Sequence, residues 1–180
     1  MRDHLGGEVR TVYVRQGEFA VASEPDTVLT AILGSCVGTC LFDAEAGVGG
    51  MNHILLPHDA NGGSGEFETV NLMELLINAL MKQGADRRRL VGKLFGGARM
   101  MESSVEIGRM NADFARRFLE EEEIPCIASS LGGACGRKIR FWPVGGRARQ
   151  FLLREADVPS EAPPPPTPSK ENNANDVELF

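Results

Sequence analysis

Nine short runs of five to seven residues, most of them rich in apolar or β-branched side chains, set the terms on which this chain can fold. They fall at 9–14, 18–22, 28–33, 37–42, 50–56, 90–95, 126–130, 138–143 and 150–154. Two stretches break the pattern with helical spacing. Over 70–82, Leu72, Met73, Leu75, Leu76, Ala79 and Leu80 share one side and leave Glu74, Asn78 and Lys82 for water, with Gln83-Gly84 as a stop. Over 108–123, preceded by Ile107, Met110, Phe114 and Phe118 recur every three or four residues, so one face packs inward. Pro125 blocks further helix after the acidic run 120–123. Asp43-Ala44-Glu45-Ala46-Gly47 reads as a hairpin connection, and runs such as Val28-Leu29-Thr30-Ala31-Ile32-Leu33 are apolar on both faces and call for cover on both sides. Strands, helix, strand, helix, strands is the order of an α+β body with stacked or mixed sheets and few helices.

At 180 residues the chain suits one domain with a real core and no need of disulfide or metal staples. A boundary falls near Asp157. Six of the ten prolines lie beyond it and none of the 21 glycines does. The reading is therefore a folded body over 1–156 and a disordered, Pro-rich acidic tail over 157–180, which has too little apolar surface to offset its ordering entropy. The tail ends in Val177-Glu178-Leu179-Phe180, an apolar and acidic tip that suits either a frayed end or a short docking peptide on a linker. It also holds five acids and one lysine. Of the net charge of −6, the tail carries −4 and residues 1–156 only −2, so nothing global argues for nucleic acid or an anionic membrane. Local basic clusters at Arg87-Arg88-Arg89, Arg116-Arg117, Arg137-Lys138-Ile139-Arg140 and Arg147 with Arg149 are solvated faces or, together, a surface for an acidic protein partner.

No stretch approaches the roughly 20 apolar residues that cross a bilayer, and the N-terminal residues lack the apolar segment of a signal peptide. The expectation is a cytoplasmic chain without membrane insertion, whose four cysteines stay reduced. Cys36 lies in the small-residue turn Leu33-Gly34-Ser35-Cys36-Val37, and His53 follows at the far end of a second apolar run. A thiol where backbone can bend, with an imidazole to take its proton, is the minimal kit for a cysteine nucleophile. If the two runs are neighbouring strands, their ends meet. The alternatives are a buried structural thiol and a core histidine bonded to backbone. His4 and His58 sit in polar surroundings and are weaker candidates, and Cys36, Cys40, His53 and His58 lack the tight ligand pairs of a structural zinc site. Phe95-Gly96-Gly97-Ala98 and Leu131-Gly132-Gly133-Ala134 match no phosphate-binding pattern and read as turns needing positive φ, one of which borders the site.

Taken together, several segments resemble the CheD family of chemoreceptor glutamine deamidases over roughly residues 12–153. They are Leu33-Gly34-Ser35-Cys36-Val37 with Cys40-Leu41-Phe42-Asp43, then Gly47-Val48-Gly49-Gly50-Met51-Asn52-His53-Ile54-Leu55-Leu56-Pro57, then Lys93-Leu94-Phe95-Gly96-Gly97-Ala98. Ile107-Gly108 with Asn111, and Gly132-Gly133 followed by Gly136-Arg137, complete the set. The resemblance implies a protein-glutamine deamidase of chemotaxis adaptation with Cys36 as nucleophile, His53 as general base and Thr30 as the third residue. It implies two stacked mixed β-sheets flanked by helices in α/β/β/α layers, similar to toxin deamidases of the cytotoxic necrotizing factor type. It implies no cofactor and no metal. The substrates it implies are methyl-accepting chemoreceptor cytoplasmic domains, met at a shallow groove, with a CheC-type phosphatase as a further partner. The other reading is a non-catalytic chemotaxis adaptor that binds the same proteins.

Overall fold

The computed structural model describes residues 9–56, 64–99 and 105–153. His4, His58 and the tail with its boundary near residue 157 lie outside the described residues. All nine apolar runs are strands: β1 (Arg10–Tyr13), β2 (Phe19–Ala22), β3 (Thr27–Leu33), β4 (Val37–Asp43), β5 (Val48–Ile54), β6 (Val91–Gly96), β7 (Cys126–Leu131), β8 (Arg137–Trp142) and β9 (Arg147–Leu152). Helices α1 (Ser64–Lys82) and α2 (Val105–Glu121) fill the two predicted places, each beginning before its apolar periodicity does.

The strands form two mixed sheets. One has the order β1-β3-β8-β9 and the other β2-β5-β4-β6-β7, with β1–β3 and β6–β7 the parallel pairs. β4 and β5 pair antiparallel from Val37↔Ile54 to Asp43↔Val48, so Asp43 to Gly47 is the hairpin connection. Every residue of these two strands is buried, because they are central and covered on both faces. Leu29, Leu33, Phe42, Met51, Ile139 and Phe141 fill the space between the sheets. The opposite face of the five-stranded sheet presents Val37, Leu41, Ile54 and Leu94 to Met73, Leu76 and Leu80 of α1 and to Ala115 and Phe118 of α2. Each large side chain buried this way contributes about 1.5–3 kcal/mol over its exposed state.

Two stacked mixed sheets with helices outside is the expected fold class, but the layer order differs. Both helices pack on the five-stranded sheet, so the described residues make three layers, α/β/β, and the outer face of the four-stranded sheet carries no described helix. β3 is nonetheless buried on both faces as expected, Val28 and Thr30 on the outer one included, with Ile32 its one exposed residue. Within the helices, Met110 and Leu75 face solvent, while Asn111 and Ile77 take the inward positions. The chain leaves α2 at Glu123, which adopts a left-handed φ of 54°, before Pro125 is reached.

Candidate active site

Cys36 closes the short Gly34-Ser35-Cys36 bend between β3 and β4, and it is buried. Three hydrogen bonds fix that bend from below. Gly97 N–H donates to the Cys36 carbonyl at 2.7 Å, Ala98 N–H to the Gly34 carbonyl at 2.8 Å, and Asn111 Nδ2 to the Ser35 carbonyl at 2.9 Å. Asn111 Oδ1 accepts from Leu56 N–H at 2.7 Å, so one buried carboxamide on α2 holds both the Cys36 bend and the exit of the His53 strand. The close approach needs glycine. Gly96 has φ 117°, and a Cβ there would lie 2.1 Å from the Cys36 carbonyl oxygen. A Cβ on Gly108 would lie 2.7 Å from the Gly97 and Ala98 carbonyls, so α2 can reach this turn only without one. The sequence expectation that a glycine turn borders the site is met by Gly96-Gly97.

The register of β4 against β5 sets Gly38 opposite His53. Cys36, two residues before Gly38, is then the diagonal neighbour of His53, at the ~7–8 Å backbone spacing of such pairs. Both belong to the alternation that faces the other sheet, along with Cys40 and Met51. His53 Nδ1 lies 3.3 Å from the Val14 carbonyl oxygen. A carbonyl only accepts, so that contact assigns the proton to Nδ1 and the lone pair to the buried Nε2. Main-chain bonds hold the residue on the β2 side as well: His53 N–H donates to Glu18 O at 3.0 Å and Gly17 N–H donates to His53 O at 2.9 Å. The turn between β1 and β2 therefore sits over the imidazole. Its exposed Gln16 directs Oε1 to within 3.7 Å of Cys36 Sγ, which donates to it. Gln16 also walls a groove of about 360 Å³ between Leu55 at the β5 exit and Thr69 and Leu72 of α1.

Thr30 stands differently from the other two predicted residues. Leu29, Ala31 and Leu33 face the other sheet, so the Thr30 side chain points to the opposite face, where Oγ1 donates to the Ile139 carbonyl at 2.6 Å. Its carbonyl accepts from Val14 N–H at 2.9 Å, and it is Val14 that meets His53. Val14, Gln16 and Asn111 carried no role in the sequence reading. Asn111 alone left a signal there, as part of a motif.

Of the four cysteines, Cys36 and Cys40 are buried and Cys126 and Cys135 exposed. Burial pushes the Cys40 thiol far above its ordinary range, partly offset by Lys93, so it is an inert core group. Among the described residues no cluster of three or more histidines, cysteines or carboxylates could hold a metal ion. No described helix is long and apolar enough to cross a membrane.

A thiol in a hydrogen-bonded bend, with an imidazole on the adjoining strand of an α/β/β sandwich, supplies the two groups that a cysteine nucleophile requires. The family model described as CheD chemotactic sensory transduction matches residues 55–150, a span that begins two residues after His53. "Probable chemoreceptor glutamine deamidase CheD" of Agrobacterium fabrum is 53% identical over 177 residues, covering 95% of this chain and 97% of that protein. Its namesake in Rhizobium leguminosarum bv. trifolii is 53% identical over 156 residues, covering 84% and 85%, and that of a Caulobacter species is 44% identical over 178 residues, covering 97% and 95%. Among solved structures, hypothetical protein YfiH of Bacillus licheniformis is similar at 13% identity and a TM-score of 0.42, over 72% of this chain and 61% of that one. The chain belongs to the CheD family.

Proposed function

We propose that this protein is a chemoreceptor glutamine deamidase, a protein-glutamine glutaminase that converts side-chain carboxamides of methyl-accepting chemoreceptors to carboxylates during chemotactic adaptation. The observation that carries the reading is the β4–β5 register, which sets Gly38 opposite His53 and so makes Cys36, two residues earlier, its diagonal neighbour, and relatives named for this activity support it. In it, the Cys36 thiol gives its proton to His53 Nε2 and the thiolate attacks the glutamine Cδ. Backbone N–H groups of the Gly34-Ser35-Cys36 bend receive the developing oxyanion. The imidazolium returns its proton to the departing nitrogen, ammonia leaves, and a Cys36 thioester remains. His53 then takes a proton from water as it attacks the thioester, and collapse releases glutamate with the proton returned to sulfur. No step calls for a metal or an organic cofactor. Val14 O fixes the tautomer, the part a third residue plays in a triad. Thr30 acts one residue removed, through the carbonyl that holds Val14.

Receptor cytoplasmic domains as substrates, a CheC-type phosphatase as partner and the cytoplasm as location belong to the same reading. Incubating a purified receptor fragment with the protein tests it. Each conversion adds about 1 Da and releases one ammonia, and Cys36→Ala or His53→Ala stops both while the far-UV spectrum stays unchanged. Equal mass shifts with either variant would sink the nucleophile assignment, and no shift with the intact protein would leave an adaptor.

A further inference from the structure

The outer face of the four-stranded sheet is cationic and aromatic. Val12, Leu29, Ala31, Ile139, Phe141 and Ala148 point inward, so the alternating strand positions point out. The β8–β9 register sets Arg140 beside Arg149, Trp142 beside Arg147 and Lys138 beside Phe151. Three of these guanidinium groups lie over the one tryptophan of the chain, Arg147 at 4.0 Å, Arg140 at 5.1 Å and Arg149 at 5.9 Å from the Trp142 ring centroid. Tyr13 and Phe151 are exposed nearby and, with Lys138 and Arg140, border a cavity of about 380 Å³. No outward strand position of this sheet is acidic. Like charges collected on a face that no described helix covers, with aromatic groups among them, mark an interaction surface.

We propose that this face binds the acidic, Pro-rich C-terminal segment of the same chain, residues 157–180. Charge complements charge: four outward cations (Lys138, Arg140, Arg147 and Arg149) face a segment of five acids and one lysine, net −4. The segment follows β9, the edge strand of this very sheet, whose last described residue Leu153 is bonded to Gly136. Reach is ample. Crossing from β9 to β1 spans three inter-strand gaps of ~4.8 Å, and an extended proline-rich chain advances ~3.1 Å per residue. Individually such ion pairs are weak, but tethering supplies an effective concentration of about millimolar. Extended proline segments dock on aromatic faces, and the apolar Val177, Leu179 and Phe180 match the exposed Tyr13 and Phe151.

Zero-length carbodiimide cross-linking of the full chain, read by peptide mass spectrometry, tests this without reference to enzymatic activity. The expected result is links from Lys138 to Glu161, Glu171, Asp176 or Glu178 in the monomer band at low protein concentration. Arg140→Glu with Arg149→Glu should cut their yield at least about fivefold, as should raising salt from about 0.05 to about 0.5 M, where screening becomes severe. A second variant, Tyr13→Ser with Phe151→Ser, should weaken the links while circular dichroism confirms the fold. Absence of tail links to Lys138, yields unchanged in both variants, or links confined to a dimer band would overturn the proposal, the last of these assigning the face to a second copy.

Discussion

Asn111 touches neither a substrate nor a proton in the proposed reaction, yet the Cys36 bend hangs on it. Replacing it by alanine strips partners from two half-buried main-chain groups, Ser35 O and Leu56 N–H, and leaves a cavity where the buried carboxamide stood; an unmet group costs about 1–3 kcal/mol when fully buried. Asn111→Ala should therefore lower the unfolding free energy by at least about 2 kcal/mol in urea titration and depress deamidation per folded molecule. Thr30→Val separates two roles for its residue. The hydroxyl bond to Ile139 O is lost, at about 1 kcal/mol of stability, whereas the carbonyl that holds Val14 stays. Activity per folded molecule should stay within about threefold of the parent, and a hundredfold loss would put the hydroxyl itself in the chemistry. Cys36 and His53 stand out in the sequence because a thiol and an imidazole carry their chemistry in the residue type, and the strands they border do adjoin. Val14 does not, since what it offers is a carbonyl that every residue has, and Gln16 does not, since nothing in a turn glutamine announces which side chain it will meet.

At the scale of elements, the β4–β5 hairpin is locked to the short 3-10 turn Arg87–Arg89 through Asp43. This buried carboxylate accepts from the Glu45, Ala46 and Asp86 N–H groups and from Arg89, whose guanidinium comes within 2.9 Å. The Arg89 side-chain bond, with the main-chain N–H groups, holds the Asp43 carboxyl well below the usual carboxylate range. Its folded value lies below its unfolded one, so the stabilisation is fully present above about pH 4 and fades as pH falls from there toward the folded value. Asp43→Asn should cost about 2 kcal/mol near neutral pH. Its melting temperature should converge on that of the parent as acid removes from the parent the contribution that the variant already lacks. A gap that persists unchanged to pH 2 would show that the charge is not what stabilises. Gly96→Ala forces a methyl group into the Cys36 carbonyl and should reduce turnover more than stability, read as kcat against melting temperature. The strands were readable because short apolar runs bounded by turn residues have few other fates. The first turns of α1 were not, because the apolar spacing starts only near Thr69 and Val70.

Across the whole molecule, one packed layer joins two sheets whose membership no local pattern reveals. β1 pairs with β3 and β3 with β8, across more than a hundred residues of sequence, and the choice of sheet for each strand was invisible for that reason. The same ignorance hid the side to which both helices go, and with it the open basic face. The shared layer makes a prediction of its own. Trp142 lies on the four-stranded sheet, whereas both described α-helices pack on the other. Tryptophan fluorescence and ellipticity at helical wavelengths should melt together, and separate midpoints would mean that the sheets unfold as independent units. His53 belongs to a strand buried along its whole length, with β2 bonded on one flank and β4 on the other. In the proposed reaction, adjustment to an incoming substrate falls to the Arg15-to-Glu18 loop bonded to the main chain of His53. Preference among target glutamines would then drift by exchange of loop side chains alone, with the proposed proton-transfer pair beneath inherited unaltered.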